Sequence, residues 1–141
     1  PMTVQTISVQ RIQQSRLQEI DFTNLGFGNH ISDHMFLADY ADGKWGPGAV
    51  IPYGPLPMTP AILSLHYGQA VFEGMKAFRM SDGKVTIFRP QRHSKRLNQS
   101  LERMCMPSVP EDYFIEALKA VIKTDEKWIP TSEGSALYLR P

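Results

Sequence analysis

A single cysteine, Cys105, stands among the 141 residues, so no disulfide can form within the chain. Long apolar runs are also missing. No stretch reaches the ~20 residues that a membrane-spanning helix needs. The polar, Gln-rich segment Pro1–Leu17 lacks the apolar core of a secretory signal. Charge of one sign is in short supply as well: a formal net charge of +1 makes no electrostatic case for nucleic acid or a membrane surface as partner. His34, His66 and His93 stand at no mutual spacing typical of metal ligands, so no metal is expected. Repeats and low-complexity tracts are absent.

What is present is ordinary for a globular protein. Hydrophobic residues make up 42% and charged residues 21%, enough for one domain with its own core. Cys105 lies between Met104 and Met106 and reads as a core thiol, since a buried free cysteine acts as a small hydrophobe. A lone thiol fits a reducing cytoplasm.

The stretch His66–Arg79 organises the chain. After a compact His66-Tyr67-Gly68 turn, Val71, Glu73, Met75 and Ala77 take one parity, and Phe72, Gly74, Lys76 and Phe78 the other. Such alternation predicts a strand. The Asp82-Gly83 pair predicts a hairpin turn, with Val85–Phe88 returning as β-branched and aromatic partners. Upstream, 1–20 reads as a flexible or irregular arm. Ser32–Tyr40 and Ala49–Tyr53 read as strands around a second Asp-Gly signal at 42–43, and the prolines of Pro52–Pro60 as a loop. Downstream, Pro90 opens a helix whose buried stripe is His93, Leu97, Leu101 and Met104. A second helix spans Glu111–Lys127 around Phe114, Leu118, Val121 and Ile122, and Ala136–Arg140 closes as a strand. The expected fold class is therefore α+β: an antiparallel sheet of hairpins with two helices packed on it, over residues 21–141.

The same stretch carries a resemblance. His66–Arg79, with Phe27-Gly28, Asp33-His34-Met35, Ile87–Pro90, Ser94-Lys95-Arg96-Leu97 and Ala136–Pro141, closely resembles the small N-terminal domain of branched-chain-amino-acid aminotransferases, pyridoxal-phosphate enzymes of fold type IV. The resemblance implies that Arg96 binds the cofactor phosphate, where a guanidinium fork suits phosphate oxygens. On its residues alone Arg96 would read as part of a solvated helix face. Tyr138 and Arg140 stand two apart on one strand face, and the resemblance puts them in the substrate site. Phe27, Tyr67 and Phe72 would form the aromatic wall around a leucine, isoleucine or valine side chain; without the resemblance they would read as core. Glu73 is expected in a structural ion pair or hydrogen bond.

The resemblance further implies a larger second domain bearing the Schiff-base lysine beyond Pro141, so no catalytic residue is assigned here. Lys44, Lys76, Lys84, Lys95, Lys119, Lys123 and Lys127 stand in no matching motif. The 141 residues alone are expected not to transaminate. For the whole protein the implied partners are branched-chain amino acids, 2-oxo acids (2-oxoglutarate among them) and a second copy in a homodimer. Other fold-type-IV enzymes, a D-amino-acid aminotransferase or an aminodeoxychorismate lyase, are the near alternative, and a non-catalytic binding module the distant one.

Overall fold

Two Asp-Gly pairs turn the chain in the computed structural model, which describes residues 6–141. At the first, Asp42 and Gly43 both adopt positive φ (52° and 77°), the backbone that a two-residue hairpin requires. It joins β3 (Tyr40–Ala41) to β4 (Lys44–Trp45). At the second, Gly83 N–H donates to Met80 O and the Asp82 carboxylate accepts from Lys84 N–H. This turn joins β6 (Met75–Arg79) to β7 (Val85–Ile87).

A three-stranded sheet is built on β5 (Ala49–Pro52), which lies between β1 (Ser8–Val9), parallel to it, and β2 (His34–Leu37), antiparallel. A second sheet, fully antiparallel, has the order β7-β6-β8, where β8 is Leu137–Leu139. In it Lys76 faces Tyr138 and Ala77 faces Leu137. Glu73 N–H donates to Pro141 O at 2.9 Å, which extends the same register past the strand end. The expected alternation is realised: Glu73, Met75 and Ala77 are buried, while Phe72 and Lys76 are exposed.

Helices α2 (Pro90–Arg103) and α3 (Glu111–Thr124) cover the inward face of the second sheet. Pro90 occupies the first turn, where its missing N–H costs nothing, and Glu111 and Asp112 complement the N-terminal dipole of α3. Met75 and Ala77 meet Leu97, Leu101, Phe114, Leu118, Ile122 and Ile129 in one core. The side chain of Asn98 ties the connection between the helices back to α2: it donates to Val109 O at 2.8 Å and accepts from Val109 N–H at 2.7 Å. No helix of the described residues is long and apolar enough to cross a membrane.

The α+β class, with two helices packed on antiparallel hairpins, agrees with expectation. Several details differ. The expected strand 32–40 breaks after Leu37, because Asp39 O turns to accept from Gly46 N–H. His66-Tyr67-Gly68 ends a short helix, α1 (Leu63–Tyr67), with Gly68 in the left-handed region as its cap. On α2 the buried positions are Ser94, Leu97 and Leu101, with His93 turned aside. Cys105 is exposed, not a core thiol. It follows α2 at φ 53°, and that left-handed turn points its side chain outward while Met106 packs against the core.

Of the arm expected over 1–20, residues 1–5 lie outside the described residues. Residues 6–20 are largely irregular but hydrogen-bonded to the body. Gln10 N–H donates to Val50 O, Ile12 N–H to His34 Nε2, and Ser15 Oγ and Arg16 N–H to Asp33. Asp33 is buried. Burial works against its charge, yet the donors from Ser15, Arg16 and Trp128, with the Arg16 guanidinium, hold its carboxyl below the ordinary value.

Candidate functional site

Phe72, Glu73 and Gly74 lead into β6, and each engages a different part of the chain. Glu73 takes the inward parity and is only 5% exposed. A buried carboxylate needs donors, and α2 supplies them. Arg96 grips it side-on, with Nε 2.7 Å from Oε2 and Nη2 2.5 Å from Oε1. Gly74 N–H donates to Oε1 at 2.9 Å, and His93 Nδ1 lies 3.4 Å from Oε2. Burial opposes the Glu73 charge, but Arg96, the Gly74 amide and His93 outweigh it and hold the carboxyl low. Hydrogen bonds from Arg96 to Glu73, then the charge itself, raise the Arg96 pKa further.

Arg96 reaches this pair from the solvent side, its side chain 65% exposed. The side-on grip uses Nε and Nη2. Among the described residues nothing accepts from Nη1, so the end of the guanidinium fork faces outward.

Phe72 and Gly74 belong to the opposite parity, and there β8 meets them. Gly74 lies so close to the Tyr138 ring that a Cβ would overlap the hydroxyl and sit 3.1 Å from Cζ. Tyr138 packs edge-on against Phe27, centroids 5.3 Å apart. The Arg140 guanidinium sits over both the Phe72 ring (5.4 Å) and the Tyr138 ring (5.6 Å), so aromatic faces hold a cation in place. A hollow of about 270 Å³ opens beside them, lined by Gly74, Lys76, Phe78, Phe88, His93 and Tyr138. A larger groove of about 510 Å³ between β7 and α3 contains none of the expected site residues.

Phe27, Phe72, Tyr138 and Arg140 thus converge in one aromatic and cationic surface, with Arg96 tied to it through Glu73. Tyr67 does not join by contact: it is 81% exposed at the end of α1, and no ring pair of the described residues includes it. Phe27 and Phe72 are 73% and 69% exposed, too open to be core. His93 is the member that pattern reading misassigns, because its spacing matches the buried stripe of α2 while its ring turns to Glu73. The available signal was Glu73 itself, a carboxylate at core parity that must find partners.

No protein-family model matches the chain. Named relatives do. The chain is 45% identical to branched-chain-amino-acid aminotransferase 2 of Bacillus subtilis, over 99% of this chain and 39% of that protein. To branched-chain-amino-acid transaminase 1 of the same organism it is 46% identical, over 86% of this chain and 34% of that one. To the branched-chain-amino-acid aminotransferase of Mycolicibacterium smegmatis it is 46% identical, over 89% and 34%. Identity at this level across nearly the whole chain makes these residues similar to branched-chain-amino-acid aminotransferases, and they span little more than a third of the length of the curated relatives they match.

Proposed function

We propose that the chain forms the phosphate-anchoring and substrate-facing wall of a pyridoxal-phosphate-dependent enzyme. That enzyme transfers the amino group of leucine, isoleucine or valine to 2-oxoglutarate. The observation that carries this reading is the convergence of Phe27, Phe72, Tyr138 and Arg140 beside the outward-facing guanidinium of Arg96.

The residues present suit the cofactor. Pyridoxal phosphate is anionic at its phosphate, and Arg96 offers a planar fork with a free donor edge, already oriented by Glu73. When bound, the cofactor supplies the electron sink for breaking the bond between Cα and its proton. The lysine that would move this proton is assigned to the remainder of the protein. Within this chain the work is recognition. Arg140 presents a cation to the substrate carboxylate, and its stacking on two rings limits its orientations. Phe72, Phe27 and Tyr138 remove water from an aliphatic side chain, and each buried methylene favours binding by about 0.8 kcal/mol. A charged side chain would be stranded against the same rings. Tyr67, exposed at the end of α1 and out of contact with these rings, is assigned to the same wall by the sequence resemblance alone. The whole protein acts as a cytoplasmic homodimer.

The test uses the protein at the full length of its relatives, loaded with pyridoxal phosphate. Visible absorbance is recorded as L-leucine, L-aspartate or D-alanine is added. A spectral change with leucine alone supports the reading. Change with D-alanine moves the protein to another fold-type-IV activity, and failure to take up the cofactor favours a binding module. The 141 residues by themselves are expected to show no leucine turnover.

A further inference from the structure

We infer that Glu73 is the positioning residue for the anion-binding end of Arg96, an inference that rests on the phosphate role proposed above. The geometry is asymmetric. The Glu73 side chain is 6% exposed while that of its partner is 65% exposed, so this is not a surface ion pair shared equally with water. Glu73 is fixed from below by its place beside β6 and by the Gly74 amide at 2.9 Å. It is fixed laterally by His93, whose Nδ1 lies 3.4 Å from Oε2. Arg96, by contrast, has a long side chain with many rotamers, and nothing else among its hydrogen bonds holds the guanidinium. The side-on grip therefore sets the plane and direction of the fork.

A side-on carboxylate engages Nε and one face of Nη2, leaving Nη1 and the outer N–H of Nη2 pointing together away from the protein. That edge matches two oxygens of a phosphate. Charge alone argues the other way, since a buried carboxylate repels an anion. Glu73 can therefore help phosphate binding only through orientation, by ordering the guanidinium before the anion arrives.

The test compares pyridoxal 5′-phosphate with pyridoxal, which lacks the phosphate, as ligands for the cofactor-free, full-length protein, by fluorescence titration. Glu73→Gln keeps the volume and removes the charge. It is expected to weaken pyridoxal phosphate binding about tenfold or more, the worth of a charge-assisted hydrogen bond, with pyridoxal affinity unchanged. Equal weakening of both ligands would mean a merely structural role and overturns the inference, as does unchanged or tighter phosphate binding. Glu73→Asp, which keeps the charge and retracts it, carries the same comparison if the amide variant fails to fold, with a selective loss of about threefold expected. Arg96→Ala separates the two levels. If it leaves the preference for the phosphorylated ligand intact, the phosphate reading of Arg96 itself fails. If it abolishes that preference while the Glu73 variants do not, only the positioning role falls.

Discussion

Trp128 Nε1 donates to Asp33 Oδ2 at 3.0 Å, joining residues 95 apart in the chain. The same carboxylate accepts from Ser15 Oγ at 2.5 Å and from Arg16 N–H at 3.0 Å. Next to it, His34 accepts from Ile12 N–H through Nε2 and engages Asp125 through Nδ1 at 2.6 Å. Asp33, just before β2, and His34, its first residue, thus bind the N-terminal segment on one side and the residues that follow α3 on the other. The arrangement gives stability a carboxylate-dependent component.

Its pH dependence has a definite sign. The folded Asp33 carboxyl titrates below its ordinary value of 3.8, because its donors outweigh burial. Its contribution is therefore complete above the unfolded pKa and is lost as pH falls through the folded one. Asp33→Asn is expected to lower stability at pH 7 by about 2–4 kcal/mol. The variant and the parent should converge as pH falls below the ordinary value of 3.8 and on through the lower folded pKa. Urea midpoints from pH 7 to pH 3 check this, and a constant difference across that range would exclude it.

Removal of the His34 ring tests the arm. Because Nε2 accepts the Ile12 N–H, the ring is neutral with its proton on Nδ1, facing Asp125. His34→Leu leaves Asp125 with the His34 backbone N–H at 2.9 Å as its remaining hydrogen-bond donor. A loss of about 3 kcal/mol is expected. Amide exchange should be locally selective. Ile12 would lose protection, while Gln10, whose N–H donates to Val50 O, would keep it. Equal loss at both positions would show that the arm detaches as a unit.

These long-range relationships mark the boundary of what sequence patterns convey. The two Asp-Gly turns, the parity of 71–79 and the placing of Tyr138 and Arg140 on one side of the chain were legible because each depends on neighbours in sequence. Helix α1 was not, since five residues after a proline-rich loop are too few to display a period. Cys105 misled for a related reason: flanking methionines suggest burial, but a left-handed backbone at 105 decides where the side chain goes. The meeting of Phe27 with Tyr138 depends on how separate elements pack, and residue pattern alone carries no trace of it. Burial of Glu73 could be read from parity, but the identity of its guanidinium partner could not.

Gly74 supplies a test of that packing. A Cβ at this position would overlap the Tyr138 hydroxyl, and the ring cannot retreat without losing Phe27 and Arg140. Gly74→Ala is expected to destabilise by about 1–3 kcal/mol, the usual consequence of overpacking. Tyr138→Phe in the alanine background should recover part of this by removing the atom struck first. Thermal unfolding of the single and double variants measures the recovery. Additive losses would show that the two positions do not interact.

Arg140 offers the sharpest test of the surface proposed to face the substrate. Its guanidinium lies over Phe72 and Tyr138, where a planar cation adds stacking to the cation–π attraction that an ammonium could also make. If it receives the substrate carboxylate, Arg140→Lys in the full-length enzyme retains the charge but loses the fork and the stacking. KM for leucine and for the 2-oxo acid should then rise together, by about tenfold, because both substrates present a carboxylate to the same place. Arg140→Ala should raise both further. Cofactor affinity, which the proposal assigns to Arg96, should stay unchanged in each variant. A rise confined to leucine would mean that Arg140 supports the aliphatic wall rather than the carboxylate, since only the packing of the side chain would then have been disturbed.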